Sequence, residues 1–422
     1  MPHQEPLTII AEVEPQGHEA LERVLDAMRS DPGHNDVIPF AKLPGCHFGR
    51  VLLLPATTDL KGRPIPSQLL MLSDCDGSAD AHLQSLVDVT NGGIDRLFCY
   101  CRGYPPLPTA RPERLSFLRR KSVEVQANYV HRQGRTVDQI RKEAELRAEL
   151  QAFLGKQPTA GIAALEARKR IRDYVRSESR LSWALEPPPS LDWAFRVRSA
   201  FHFASLPLGL LMLGPALLPA AMLVVLLVRL QELRDRPPHI RPTAEQVREL
   251  AALEDFYAHS GFTAGGYVKP GWVRQAVIST VLPLIGWGTR HLFTRDSLAG
   301  VKTIHFARWI PLDGGRRVVF ASNYDGSLES YNNDFIDLVA WGLNLVFSNG
   351  VGYPKTDWMV FGGASREQEF KDFLRRHQIP TPVWHSAYSE LTAVNIERNA
   401  KLRAGLRGRM TERAAQEWLR LL

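Results

Sequence analysis

Cysteine is scarce in this chain, four residues among 422, and all four fall between positions 46 and 101. So few thiols, confined to one end, do not make a disulfide scaffold, and Cys99-Tyr100-Cys101 lacks the two-residue gap of a usual zinc site. They read as packed, reduced thiols. Also missing are the G-x-x-x-x-G-K-S/T phosphate loop, the H-E-x-x-H helix and the G-x-S-x-G elbow. Their absence removes the commonest nucleotide-binding, zinc-peptidase and serine-hydrolase signatures without naming a reaction. The stretch from Met1 to Val13 has no basic segment leading into an apolar one, so a cleaved secretory leader is not expected and the globular parts are expected in the cytoplasm. Low-complexity sequence is lacking too. With 44% hydrophobic and 23% charged residues the composition is that of ordinary globular material, and 29 prolines and 31 glycines are dispersed as turns.

Charge is unevenly spread. Between Leu107 and Ala200 there are 19 Arg and Lys against 11 Asp and Glu, a balance of +8, while the whole chain carries +7. A basic stretch of this kind suits nucleic acid or anionic lipid. The neighbouring segment decides between them, because Phe203 to Val228 holds no charged residue in 26 positions. Basic residues beside an apolar run favour an anionic membrane surface, and no specific nucleic acid is expected.

That run exceeds the roughly 20 residues that span a bilayer core. Pro207, Pro215 and Pro219 interrupt it, and Gly214-Pro215 sits near its centre. A re-entrant or interfacial membrane hairpin is the first expectation, ahead of a single span and then a buried core hairpin.

The strongest internal signal is a repetition. Cys46-His47-Phe48-Gly49-Arg50 returns as Ile304-His305-Phe306-Ala307-Arg308, and Ser73-Asp74-Cys75-Asp76-Gly77-Ser78 as Ser322-Asn323-Tyr324-Asp325-Gly326-Ser327. Gly103-Tyr104-Pro105 returns as Gly352-Tyr353-Pro354, and the interval from Gly77 to Gly103 matches that from Gly326 to Gly352. Self-similarity of this sort marks a duplicated unit. In the second copy, Phe262 to Val268 reads as strand, Gly271 to Phe293 as helix, and Lys302 to Leu312 with Arg316 to Ser322 as a hairpin about Asp313-Gly314-Gly315. Leu328 to Phe347 then reads as helix and Asp357 to Phe361 as the closing strand. The first copy fits the same plan, with strand at Leu7 to Val13, helix at Gly17 to Arg29, strands at Cys46 to Leu54 and Gln68 to Ser73, and helix at Ala79 to Val89.

The expected class is therefore α+β, with two ferredoxin-like (βαββαβ) repeats as an internal pseudo-dimer. The units are 1–106 (repeat one), 107–200 (a basic helical linker), 201–236 (the apolar membrane segment), 237–260 (a connecting helix), 261–364 (repeat two) and 365–422 (C-terminal helices).

The second copy, together with Gly362-Gly363-Ala364 and Val383-Trp384-His385-Ser386-Ala387-Tyr388, resembles a bacterial membrane-associated family of duplicated ferredoxin-like units. That likeness covers about 261–406 well and the first repeat loosely, and it implies a fold and no reaction. A more distant resemblance is to the dye-decolorising peroxidases, which duplicate a ferredoxin-like unit and carry Gly-x-x-Asp-Gly. Ser322-Asn323-Tyr324-Asp325-Gly326 is similar, with serine in place of the first glycine. The resemblance implies Asp325 and Arg308 as the catalytic pair acting on peroxide over haem, since O–O cleavage needs a proton shuttle and a cation. His385 or His305 would be the axial ligand. Strand alternation sets His305 on the face opposite Arg308, which favours His385.

The plainer reading is that Asp76 and Asp325, each followed by Gly-Ser before a helix, are helix caps paired with Arg50 and Arg308. Two functions stand as expectations: a membrane-associated haem peroxidase or oxygenase-like enzyme acting on an apolar small molecule, or a non-catalytic membrane-bound ligand-binding or scaffold protein.

Overall fold

The computed structural model describes residues 3–157, 161–188, 191, 193–254, 257–294 and 297–422. Eight of its strands build two four-stranded antiparallel sheets. Sheet one contains β1 (Gln4–Glu12), β2 (Cys46–Leu54), β3 (Gln68–Asp76) and β8 (Val383–Ser386), in the order β1-β3-β2-β8. Sheet two contains β4 (Ala127–Val130), β5 (His259–Tyr267), β6 (Ile304–Leu312) and β7 (Arg317–Asp325), in the order β4-β6-β7-β5.

Alternation along these strands explains why the sheets face each other. Leu52, Leu54, Leu70 and Leu72 of sheet one meet Ile310, Leu312, Val319 and Ala321 of sheet two in one buried cluster. Burying each of the larger of these side chains contributes roughly 1.5–3 kcal/mol. The intervening residues point outward to helices. Val51, Leu69 and Met71 pack under α1 (His18–Arg29) and α2 (Ala79–Thr90). Ala307, Trp309 and Phe320 pack under α5 (Trp272–His291) and α6 (Leu328–Phe347). Strands buried on both faces read as near-continuous apolar runs, as Arg50-Val-Leu-Leu-Leu54 does.

One edge strand of each sheet comes from an unexpected place. β4 lies inside the stretch read as a helical linker, and β8 inside the stretch read as C-terminal helices. The expected closing strand, Asp357 to Phe361, instead forms a separate small pairing of Thr356–Asp357 with Phe361–Gly362. The chain leading into β4 first touches sheet one, where Ser122 bridges Ile9 and the Val123 N–H donates to Thr8 O at 2.9 Å. It then pairs with β6 of sheet two. The chain leading into β8 does the reverse, Gln378 bridging Ala264 of β5 before Val383 pairs with Val51 of β2. The two sheets are thereby joined at both edges by segments that cross between them.

The apolar middle is one continuous helix, α4 (Trp193–Arg234), with all three prolines inside it. The expected hairpin is not formed. An interior proline removes one hydrogen bond without obliging the chain to reverse, and here a substitute donor is present. Pro207 leaves Phe203 O without its helical N–H, and Trp287 Nε1 donates to that oxygen at 3.3 Å. This helix is long and apolar enough to cross a membrane, and only 6% of its most apolar 18-residue window is buried. A fourth packing unit joins α3 (Val137–Lys156), Ala164–Ser177, α7 (Ala393–Gly405) and Glu412–Leu419 around Leu146, Leu150, Ile171, Leu402 and Trp418.

Candidate functional site

Between the sheets, above the aliphatic cluster, lies a buried polar layer built from the repeated motifs. Arg308 and Arg50 are each 3% exposed, and each reaches into the opposite sheet. The Arg308 guanidinium donates to Leu7 O (3.0 Å), Thr8 Oγ1 (3.1 Å), Ser73 O (3.0 Å) and the Asp74 carboxylate. Arg50 donates to Phe262 O (2.9 Å), Thr263 Oγ1 (2.8 Å), Ser322 O (2.8 Å) and Asn323 Oδ1. The two acceptor sets correspond position by position except that aspartate in one is asparagine in the other. Asn323 Nδ2 then donates to Asp74 Oδ2 at 3.1 Å, tying the two halves together. The layer holds two guanidinium groups and one carboxylate. Burial pulls the Arg50 pKa down to about 10, against the opposing pull of Asp74.

Arg308 and Asp325 are thus not partners, and neither are Arg50 and Asp76. Asp325 Oδ1 lies 2.7 Å from His305 Nε2, and its Oδ2 accepts the Ala393 N–H at 2.8 Å. Asp76 Oδ1 lies 3.0 Å from His47 Nε2, and its Oδ2 accepts the Val137 N–H at 2.9 Å. Ala393 and Val137 open α7 and α3, so each aspartate holds the first amide of the helix that follows a crossing strand. A carboxylate there meets unpaired N–H groups and the positive end of the helix dipole. The helices immediately after the Asp-Gly-Ser motifs are capped by the serines, Ser78 accepting from Ala81 N and Ser327 from Ser330 N.

His305 is not held opposite Arg308 by simple alternation. Register shifts between Ile304 and Phe306, and between Cys46 and Phe48, put a bulge at each repeated histidine. Each ring then lies against the phenylalanine of the other sheet, His305 5.4 Å from Phe48 and His47 5.1 Å from Phe306. Tyr388 closes this aromatic end, its hydroxyl 2.9 Å from His47 Nδ1 and its carbonyl accepting from His259 Nε2 at 3.0 Å. The space lined by His47, His305, Phe306 and Tyr388 amounts to about 20 Å³. Small-molecule sites run roughly 300–1,000 Å³, so a haem macrocycle does not fit there. His385, 9% exposed, stacks on Phe40 at 5.8 Å with its Nε2 unpartnered.

Burial pushes the Cys46 and Cys75 thiols well above their ordinary range and Cys101 up to about 12, leaving them inert as nucleophiles. A larger cleft of about 600 Å³ opens between the end of α1 and the helix Ala244–Ala251, with Leu250, Leu253, Ile379, Pro382 and Trp384 among its walls. The basic stretch is mostly spent within the protein, as in Arg111 with Asp88, Arg114 with Asp95, Arg119 with Asp80 and Arg180 with Glu149.

The sequence pointed to Asp325 and Arg308 as a pair, with His385 favoured over His305 as a ligand; the structure places Arg308 in the polar layer, Asp325 and His305 together at a helix N-terminus, and His385 apart from them on β8. The residues missed are Asp74, Asn323, Thr8, Thr263 and Tyr388. Asp74 and Asn323 stood in the repeated motif, one pleat before the acid that drew notice. Compared with protein-family profiles, curated proteins and solved structures, the chain matches none.

Proposed function

We propose that the chain is a membrane-attached, non-catalytic scaffold or ligand-binding protein, built from two duplicated ferredoxin-like units that close into an internal pseudo-dimer. The observation that carries the attachment is the exposed apolar surface of α4, where Leu211 and Met212 are each 76% exposed. A contiguous surface of that kind marks a membrane or partner interface. The duplication is supported by the matched acceptor sets of Arg50 and Arg308, the matched bulges at His47 and His305, and the matched helix starts held by Asp76 and Asp325.

The non-catalytic reading is supported by how fully these residues are engaged. Arg308 spends its guanidinium on four acceptors, and Asp325 spends both oxygens on a histidine and a helix. Support for a haem peroxidase or oxygenase is confined to the sequence resemblance. For a ligand-binding role, the cleft walled by Leu253 and Trp384 has the size and partly apolar lining of a small-molecule site.

Vesicle flotation tests the attachment. The full chain is expected to rise with anionic vesicles, and Leu211→Asp with Met212→Asp to leave it in the aqueous fraction with its fold intact. Each arginine near anionic headgroups contributes about 1 kcal/mol, so lipid dependence should weaken as salt is raised. Equal recovery of both proteins in the aqueous fraction would end this reading.

A further inference from the structure

Resting on that membrane reading, we infer that α4 lies as one continuous helix within a single leaflet, so that both of its ends stay on the same side of the bilayer. Both ends are fastened to one body. At the first, Phe195 is buried, stacks on His3 at 4.4 Å and lies 5.5 Å from the Arg290 guanidinium. Phe203 stacks on Trp287 at 5.5 Å, and Trp287 Nε1 donates to His202 O at 3.2 Å. At the second, Val228 and Glu232 are fully buried. Glu232 accepts from Thr356 Oγ1 (2.7 Å), Trp358 N (2.8 Å) and Met359 N (2.8 Å). Arg274 Nε donates to Gln231 Oε1 at 2.9 Å, and Lys269 pairs with Asp235.

The same helix, α5, receives both ends. Its Arg274 meets Gln231, while its Trp287 and His291 meet Phe203 and His202. At 1.5 Å per residue, the stretch from His202 to Gln231 is about 44 Å long and that from Arg274 to His291 about 26 Å. The stretch of α4 between its two attachments is therefore longer than the stretch of helix that receives them, and its middle is exposed. Leu208, Leu211, Met212, Leu218 and Met222 are all more than half exposed.

Two physical arguments select insertion into one leaflet. For α4 to cross with both ends attached, sheet two and its helices would have to enter hydrocarbon, carrying the exposed Asn333 and Asp337 with them. Backbone and charge exposed to lipid cost several kcal/mol per group, which the body cannot offset. Equally, the free middle is apolar on every side, unlike an amphipathic helix resting in the headgroups, so it is satisfied only within hydrocarbon. The flanks fit the boundary. Arg196 and Arg198 precede the run, Arg234 and Arg236 follow it, and the half-exposed Trp358 lies 5.5 Å from the Arg229 guanidinium.

The test is labelling of two full-length variants, Ala200→Cys and Pro238→Cys, in sealed membrane vesicles with a membrane-impermeant maleimide. Unaltered chain, whose own thiols are mostly buried, sets the background. Both added cysteines should label, or both be protected, in vesicles of a given orientation, and detergent should make both react fully. A spin label at Leu211→Cys should report a depth short of the bilayer midplane. Labelling of one site with protection of the other would overturn the single-leaflet arrangement while leaving attachment standing. Recovery of the chain outside the membrane fraction would overturn both.

Discussion

Replacing Asp74 by Asn perturbs the carboxylate that pairs with the buried Arg308 and is tied to Arg50 through Asn323. The Arg308 guanidinium loses its only anionic partner among the described residues, and the amide donor of Asn323 loses a carboxylate oxygen 3.1 Å away. Removing one member of a buried ion pair costs about 3–5 kcal/mol, because the remaining charge stays desolvated. Asp74→Asn should therefore lower unfolding free energy by about that amount. For a chain of 422 residues that unfolds as one unit, about 1 °C is lost per kcal/mol, so Tm should fall by roughly 3–6 °C. Asn323→Asp alone should also destabilise, since it gives Arg50 a counter-charge but puts a second carboxylate oxygen where the donor 3.1 Å from Asp74 Oδ2 stood, and two buried carboxylates that close do not both ionise. The decisive measurement is the double exchange, Asp74→Asn with Asn323→Asp. Because the acceptor sets correspond, moving the carboxylate to the equivalent position should restore most of the lost stability in denaturant unfolding, a large favourable coupling. A double variant no more stable than Asp74→Asn would refute the equivalence of the two halves of the layer.

Three further outcomes are expected. Asp325→Asn and Asp76→Asn should each cost roughly 1–3 kcal/mol in unfolding free energy, less than Asp74→Asn, through the weakened histidine and helix-start contacts; a negligible loss at either would contradict the assigned role. Burial pulls His82, His131, His259 and His385 each to about 4, below an unfolded value near 6.5, so the folded state refuses protons that the unfolded chain accepts. Stability should be fully present above about pH 6.5 and fall toward pH 4, by about 1.4 kcal/mol per pH unit for each histidine, and a flat melting profile across that window would count against it. Added haemin should give purified chain no stoichiometric Soret band, and a saturable one-to-one band would return the haem-enzyme reading to first place.

How much of the molecule is legible in the sequence depends on how local each cause is. The helix Leu328–Phe347 is read with its observed bounds, because the Ser327 cap and the apolar periodicity lie within it. The repeated motifs and the strand patterning together place the six long strands to within a few residues. The two short edge strands escape, since Ala127–Val130 and Val383–Ser386 are four residues each and become strands only against a distant partner. Alternation fails at His305 because a bulge shifts its parity, which no residue type announces. The three prolines read as a reversal, yet the helix runs through them, with the Trp287 indole supplying a substitute donor at the carbonyl freed by Pro207. Arg308 is matched to the wrong aspartate because its partners lie across the sheet-to-sheet gap, a relation fixed by packing alone.

The exchanged edge strands carry a consequence for biosynthesis. Val51 must wait for Val383, 332 positions later, before sheet one is complete. At translation speeds of roughly 5–20 residues per second, the outer side of Cys46–Leu54 stays unpaired for tens of seconds. An open strand edge is a template for illegitimate pairing with neighbouring chains. Sheet one can therefore not be completed until nearly the whole chain has been made, and a transcript truncated before codon 383 yields a nascent chain with an aggregation-prone edge rather than a smaller working protein.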